Sequence, residues 1–324
     1  MTLDKMLGIQ YPIIVAPMFL ISNTKMVKAA LDSGVTAAFP ALNYRTDQEL
    51  RAAIADIQEH TDKPFGVNLI VNKSNYKYKK QLETLVELKP AFIITSLGNP
   101  DEVIRQCKPL GIKVFCDVID EVHAKKVERL GADAVIAVNN QAGGHTGKIN
   151  PKELVKLLQA HVSIPVISAG GVATSEHVKE VLAWGAAGVS VGTIFIASQE
   201  ADVSPEYKQA LVDYGAKDIV KTTKLSGSAL TVINTPYVQQ LGTEASFLER
   251  LMNRHKWLKK YIRMIIALRG MKTIEQSANG ASYKTLWCAG QTIEYVHSVR
   301  PMHEIVHDLT NGLEPNAEVV TVSL

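Results

Sequence analysis

The chain has 324 residues, of which 46% are hydrophobic and 21% charged, ordinary values for a globular protein. A formal net charge of +3, without a basic stripe interleaved with aromatic residues, argues against nucleic-acid binding. The sequence has no apolar run long enough to cross a bilayer, and its first residues lead us to expect no secretory leader. Three cysteines without metal-ligand spacing favour a reducing compartment. We therefore expect a cytoplasmic protein without a metal, membrane or nucleic-acid partner.

Short β-rich runs alternate with helix-patterned segments, which is typical of βα units and a parallel sheet. The eight predicted strands are Pro12–Met18, Val35–Leu42, Phe65–Ile70, Ala91–Ser96, Ile112–Val118, Ala132–Val138, Ile164–Ala169 and Ala187–Gly192. The predicted helices between them include Asp47–Glu59, Lys79–Leu88, Glu121–Leu130, Pro151–His161 and Ser175–Trp184, with Thr46 and Thr174 as N-caps. Eight consecutive units predict an α/β fold, a closed (β/α)8 TIM barrel, in which ligands bind at the C-terminal ends of the strands.

The βα rhythm breaks after the eighth unit. Residues 224–283 show no clear strand and predict a helical insertion over the barrel mouth. The insertion includes a basic amphipathic helix, Arg254–Arg263, which is either a solvated face or a docking site for an acidic partner. The predicted domains are a barrel with C-terminal helices, residues 1–223 and 284–324, and a substrate or lid insertion, residues 224–283. Near the C-terminus we expect a closing barrel helix at Gln291–Ser298, a helix at Met302–Leu309 and a mobile tail at Glu314–Glu318.

Candidate ligand-binding residues follow three of the predicted strands. Pro17 fixes the backbone after the first strand, and the polarizable thioether of Met18 suits contact with an aromatic ligand, although a lone methionine is more often a core residue. Asn68 in the third strand can donate and accept hydrogen bonds, or cap a turn. After the sixth strand, Gly143 and Gly144 allow close approach of the backbone, and His145 titrates near neutral pH. A tight surface turn is the simpler alternative for this last loop.

Glycine-containing loops also follow the seventh and eighth strands. Gly170-Gly171 and Gly192-Thr193 each lead into a helix, where unpaired N–H groups and the helix dipole favour an anion. This pairing is the usual phosphate site of a TIM barrel, and ordinary tight βα connections are the alternative. The first strand is not followed by G-x-G-x-x-G, which argues against a Rossmann dinucleotide site.

Five motifs together resemble the nitronate monooxygenase family, formerly called 2-nitropropane dioxygenases, and its relative, flavin-dependent enoyl-[acyl-carrier-protein] reductase II. They are Ala-Pro-Met at 16–18, Pro-Phe-Gly-Val-Asn at 64–68, Gln-Ala-Gly-Gly-His-Thr-Gly at 141–147, Ala-Gly-Gly-Val at 169–172 and Gly-Thr-Ile-Phe at 192–195. The resemblance implies non-covalent FMN at the barrel mouth. Pro17 and Met18 would lie against the isoalloxazine, Asn68 would bond its polar edge, Gly143 and Gly144 would pass close to the ring, and Ala169, Gly170, Gly171, Gly192 and Thr193 would hold the phosphate. His145 matches the active-site histidine of the family.

The chain departs from the family pattern at two positions. Cys116-Asp117-Val118 stands where some relatives have a flavin-contacting lysine, which removes a cation near the flavin, and Gln141 stands where many have glutamate.

The resemblance implies that O2 oxidises alkyl nitronates to carbonyl compounds and nitrite, with the neutral nitroalkanes as a second class of substrate. His145 would act as a base or as a stabilising charge. One alternative is an NAD(P)H-dependent FMN reductase acting on enoyl thioesters or quinones. Another is a non-enzymatic barrel that binds a phosphate ligand or a partner. Ala16-Pro17-Met18 favours the nitronate class, because the reductases more often have Gly-Gly-Met there. A phosphosugar aldolase or isomerase lacks a supporting lysine or carboxylate pair, and a homodimer stays open.

Overall fold

The computed structural model describes residues 1–72, 75–222, 230–243 and 286–320. Eight parallel strands close into a barrel, because β1 pairs with β9 as well as with β2. The barrel strands are β1 (Ile13–Val15), β2 (Thr36–Pro40), β3 (Gly66–Ile70), β4 (Phe92–Ser96), β5 (Lys113–Val118), β6 (Ala134–Val138), β8 (Val166–Ala169) and β9 (Gly188–Val191). Each lies within a predicted strand, so the predicted TIM barrel is confirmed.

One helix precedes the barrel, and the others follow its strands. They are α1 (Leu3–Leu7), α2 (Thr24–Asp32), α3 (Asp47–His60), α4 (Tyr78–Leu88), α5 (Asp101–Cys107), α6 (Glu121–Leu130), α7 (Pro151–Gln159), α8 (Ser175–Ala183), α9 (Thr193–Ile196) and α10 (Pro205–Asp213). Both predicted caps are confirmed: the Thr46 hydroxyl accepts from the Glu49 N–H in a capping box, and the Thr174 hydroxyl accepts from the His177 N–H.

The inside of the barrel is closed at its N-terminal end. Inward side chains such as Ile14, Ile94 and Ile136 pack there against Leu3 and Met6 of α1. The α1 helix is tied to the barrel by the Leu3 N–H, which donates to the Ala187 carbonyl just before β9. Because this end is filled with apolar side chains, a ligand has room only at the C-terminal ends of the strands.

A small second sheet lies beside the barrel. It contains β7 (Gly144–His145), β10 (Ile219–Thr222) and β11 (Leu230–Ile233), and β11 runs antiparallel to both neighbours. The expectation of no clear strand in residues 224–283 is therefore wrong at β11. A short helix, α11 (Pro236–Leu241), follows it. The predicted basic helix Arg254–Arg263 lies outside the described residues, and the division into two domains stays a prediction.

The C-terminal segment differs from its prediction in two places. Gln291–Tyr295 forms a 3-10 helix rather than a barrel helix reaching Ser298. The next helix, α12 (Met302–Thr310), confirms the prediction at Met302–Leu309. The tail is anchored rather than loose, since the Asn316 N–H donates to the Gln10 carbonyl before the last turn, α13 (Ala317–Val320). Within the described ranges, no helix has the length and apolarity to span a bilayer.

Candidate active site

The predicted ligand-binding residues lie on neighbouring loops at the C-terminal end of the barrel. A Cβ built on Gly192, after β9, would lie 3.5 Å from the Met18 Sδ, after β1. A Cβ on Gly143, after β6, would lie 3.2 Å from the Thr193 Oγ1 and 2.8 Å from the Gly290 nitrogen. The loop after β6 therefore needs glycine at 143 to pack this closely.

Hydrogen bonds from Ser22 hold the loop that carries Pro17 and Met18. The Met18 N–H donates to the Ser22 Oγ at 2.8 Å, and the Ser22 hydroxyl donates to the Ala16 carbonyl at 3.0 Å. Further along, Leu20 has a left-handed φ of 59°, and its N–H donates to the Asn43 Oδ1 at 2.8 Å. Pro17 and Met18 are both half-buried in this fixed turn.

Asn139 organises the histidine loop. Its side chain is buried; the Nδ2 donates to the Gly170 carbonyl at 2.9 Å, and the Oδ1 accepts from the Gln141 N–H at 2.9 Å. Its own carbonyl accepts from the Gly147 N–H at 3.1 Å, which closes the loop. Asn139 thus joins the loops after β6 and β8. Sequence reasoning missed this role, although a polar residue directly after a buried apolar strand was a usable signal.

His145 lies in β7, paired with Leu230 of β11. It keeps solvent-exposed surface, while the protein on its other sides desolvates the imidazole and lowers its pKa below the ordinary value of 6.5. The imidazole is therefore neutral at neutral pH and has a nitrogen available as a proton acceptor.

The loops after β8 and β9 expose main-chain N–H groups. In the described part of the chain, the N–H groups of Gly170, Gly171 and Gly192 donate to no protein acceptor. Gly170 and Gly171 have φ of +106° and +84°, a conformation that favours glycine, and a Cβ on Gly170 would lie 2.5 Å from the Ala142 nitrogen. The Thr193 hydroxyl accepts from the Gly290 N–H at 2.9 Å, and Ala169 ends β8 beside this loop. The arrangement suits an anion.

A polar chain that the sequence reasoning did not assemble runs across β3, β4 and β5. The Asn68 Nδ2 donates to the Ser96 Oγ at 2.7 Å, and the Ser96 hydroxyl donates to the Asp117 Oδ2 at 2.5 Å. Burial raises the pKa of Asp117 to about 6, partly offset by the bond from Ser96. Asp117 was recognised only as a departure from the family pattern, because its neighbours depend on strand register.

The cysteines and acidic residues do not suggest other chemistry. Cys107, Cys116 and Cys288 are free thiols, and burial raises the pKa of each, to about 12 for Cys107 and Cys116 and about 11 for Cys288. None is therefore an activated nucleophile. Among the described residues, His, Cys, Asp and Glu form no group of three or more arranged for a metal ion.

Comparison with known proteins identifies the family. The nitronate monooxygenase model matches residues 1–81 and 73–312. The chain belongs to the nitronate monooxygenase family. A nitronate monooxygenase of Pseudomonas aeruginosa is 29% identical over 269 residues, 69% of this chain and 76% of that protein. An octahydro-indene-carboxyl-CoA dehydrogenase of Rhodococcus jostii is 31% identical over 239 residues, 74% of this chain and 67% of that protein.

Solved structures agree with this assignment. FabK from Thermotoga maritima has a TM-score of 0.82 at 29% identity, covering 96% of this chain and 95% of that one. Nitroalkane oxidase from Streptomyces ansochromogenes has a TM-score of 0.80 at 22% identity over 98% of both chains, which shows a shared fold. The predicted membership of the nitronate monooxygenase family, with its relation to enoyl-[acyl-carrier-protein] reductase II, is confirmed. The protein is an oxidoreductase, and its family supports a reaction of the nitronate-oxidising kind.

Proposed function

We propose that the protein uses FMN at the barrel mouth to oxidise alkyl nitronates with O2 to carbonyl compounds and nitrite. The reaction balances when one O2 serves two nitronates, each of which gives one carbonyl and one nitrite. The observation that carries the proposal is the meeting of two features at one end of the barrel. A neutral His145 lies on the loop after β6, and main-chain N–H groups without acceptors lie after β8 and β9. In this proposal the partners of the enzyme are a small-molecule substrate and O2, and the enzyme works in the cytoplasm.

The residues at the mouth fit FMN. The N–H groups of Gly170, Gly171 and Gly192, with the Thr193 hydroxyl and the backbone at Ala169, suit a terminal phosphate near the N-terminus of α8. A side chain at 170 would fill this cradle, since its Cβ would meet the Ala142 backbone. Pro17 and Met18 would pack on one part of the ring system, with Gly143 and Gly144 close by. FMN, when bound, supplies the electron acceptor that the side chains lack.

His145 would act as the base for neutral nitroalkanes. A neutral imidazole can remove the α-proton, which converts a nitroalkane into its nitronate. Because desolvation lowers the pKa of His145, this step should persist to a lower pH than an ordinary histidine, with its value of 6.5, would allow. A preformed nitronate has already lost that proton, so its oxidation should depend less on His145.

The test compares His145→Asn with a surface control, His161→Asn, in nitrite-release assays on nitroalkane and nitronate pairs. His161 bonds the Leu157 carbonyl at the end of α7, on the outer layer. His145→Asn should retain FMN and slow nitroalkane turnover about 100-fold or more, with a much smaller effect on nitronates. His161→Asn should change neither rate. Equal and small losses on both substrates with His145→Asn would remove the base assignment, and failure of the wild-type protein to bind FMN would remove the whole proposal.

A second candidate is an NAD(P)H-dependent flavin reductase or dehydrogenase acting on acyl thioesters. The similarity to FabK and to the CoA dehydrogenase of Rhodococcus jostii favours it. Anaerobic addition of NADH or NADPH separates the two candidates. Rapid bleaching of the bound flavin supports the thioester enzyme, whereas slow bleaching together with aerobic nitrite release supports nitronate oxidation.

A further inference from the structure

Three side chains on neighbouring strands form a hydrogen-bonded chain: Asn68 on β3, Ser96 on β4 and Asp117 on β5. Strand register brings them together, since Ile70 pairs with Ser96 and Thr95 pairs with Cys116, one residue before Asp117. They alternate with outward core residues such as Val67 and Cys116, so they belong to the inward layer near the C-terminal ends of the strands.

The orientation of the Asn68 amide follows from its neighbours. One side-chain atom of Asn68 lies 3.1 Å from the Ile94 carbonyl oxygen, which can only accept, so that atom is the Nδ2. The same Nδ2 lies 2.7 Å from the Ser96 Oγ. Both amide hydrogens are therefore used within the protein, and the Oδ1 remains as the group that Asn68 offers to a ligand. Asn68 presents an acceptor rather than a donor.

Asp117 fixes the direction of the Ser96 hydroxyl. A serine hydroxyl has one hydrogen, and here it donates to the Asp117 Oδ2, which leaves an Oγ lone pair for the Asn68 amide. Without an acceptor at 117, the hydroxyl is free to turn and donate to Asn68 instead. The amide would then have only the Ile94 carbonyl, and no longer Ser96, to hold its nitrogen in the present orientation.

We propose that Asp117 is a positioning residue that acts through Ser96 to hold the Asn68 Oδ1 as a hydrogen-bond acceptor for the cofactor. The proposal rests on the proposed FMN site, because the matching donor is an N–H such as that at N3 of an isoalloxazine. The carboxylate at 117 thus has a role different from that of a lysine, which would offer a donor directly. The elevated pKa of Asp117 agrees with a carboxyl kept in this half-buried layer for its hydrogen bond.

The test uses the full-length protein, titrated with FMN and followed by flavin fluorescence. Asp117→Leu and Ser96→Ala each remove one link of the hydrogen-bonded chain, and each should raise the FMN dissociation constant about tenfold. The double variant should be no weaker than either single variant, because both break the same chain. Asp117→Asn keeps an acceptor oxygen for Ser96 and should restore binding to within about twofold of wild type.

A matched control lies on the same two strands with the opposite orientation. The Thr95 hydroxyl donates to the Cys116 Sγ at 3.2 Å, on the outer face of β4 and β5. Thr95→Val removes a buried hydrogen bond there and should leave both the FMN dissociation constant and the flavin absorption spectrum unchanged. Asp117→Leu and Ser96→Ala should shift the spectrum and the flavin midpoint potential in the same direction, which a general loss of stability would not do.

The outcomes separate the two proposals. Wild-type protein that fails to bind FMN refutes the proposed function. Wild-type protein that binds FMN, with Asp117→Leu and Ser96→Ala no different from Thr95→Val, refutes the role of Asp117 alone, as do additive losses in the double variant. If Asp117→Leu does not fold by circular dichroism, Ser96→Ala compared with Thr95→Val decides the question.

Discussion

Asp117 should lower the stability of the FMN-free protein at high pH, and Asp117→Asn should relieve this cost. Burial raises the pKa of Asp117 from 3.8 to about 6. The native state therefore holds a proton on this carboxyl over a pH range in which the unfolded chain has released it. In that range the native state binds more protons, so stability falls as pH rises.

The size of the effect follows from the pKa difference. A difference of about 2 units, at about 1.36 kcal/mol per unit, amounts to about 3 kcal/mol at about pH 8, where both states are ionised. At about pH 4.5 the native carboxyl is protonated while the unfolded one is mostly ionised, so the cost of keeping the proton in the native state is about 1 kcal/mol. Asparagine is neutral throughout and still accepts from Ser96. Asp117→Asn should therefore be more stable than wild type by about 3 kcal/mol at about pH 8, and by about 1 kcal/mol at about pH 4.5.

Urea unfolding of both proteins at the two pH values measures this difference. Glu128→Gln provides a control of opposite sign. The Glu128 carboxylate accepts from the Ser163 hydroxyl and from the Ser163 N–H at 2.6 Å, and these bonds lower its pKa below 4.5. Its contribution is present above the unfolded pKa and is lost as pH falls, so Glu128→Gln should destabilise more at high pH than at low pH. A stability difference for Asp117→Asn that does not change with pH would refute the reasoning.

Three further substitutions test the loops of the site and the packing of the C-terminal segment on α10. Gly171→Ala should weaken FMN binding about tenfold, because φ is +84° and the new Cβ would displace the Gln141 side chain. Gly111→Ala, at φ +79° with open space around it, should leave FMN binding unchanged in the same titration. Asn139→Ala should lower the free energy of unfolding by about 2–4 kcal/mol in urea, since it leaves the partly buried Gly170 carbonyl and Gln141 N–H unpaired. Tyr207→Phe should cost about 1–2 kcal/mol in thermal unfolding, because it removes the 2.6 Å bond to the Cys288 carbonyl while the ring stack is kept.

The barrel strands could be predicted because their signal is local. A parallel strand buried on both faces is nearly uniformly apolar, as in Ala134–Val138, and turn-forming residues bound it. β11 could not be predicted in this way. Its four residues become a strand by pairing with the preceding strand, Ile219–Thr222, on one side and, across a long stretch of sequence, with Gly144–His145 on the other. The 3-10 turn at Gln291–Tyr295 is similar, since its start is fixed by packing of Gly290 against Gly143.

The candidate site likewise contains residues that could be predicted from local sequence and residues that could not. Gly170, Gly171 and His145 could be chosen from the sequence because their residue types carry the chemistry by themselves. The role of Asp117 could not be predicted, because it depends on Ser96 lying on the neighbouring strand and on Asn68 lying one strand further. A single-residue shift in register would move Asp117 to the outer face, and no local pattern excludes such a shift.

The two ends of the barrel contribute differently to the stability of the ligand-free protein. The N-terminal end is filled with apolar side chains and closed by α1. The C-terminal end holds a carboxyl with a raised pKa and N–H groups without acceptors. It also holds two non-glycine residues with positive φ, Leu20 at 59° in the loop after β1 and Leu97 at 60° directly after β4. Each feature disfavours the ligand-free protein, through desolvation, unmet hydrogen bonding or backbone strain. A ligand that brings an anion to the N–H groups and a donor to Asn68 offsets the second of these costs. That complementarity explains why the barrel keeps the N–H groups without acceptors and the Asp117 carboxyl at its C-terminal end.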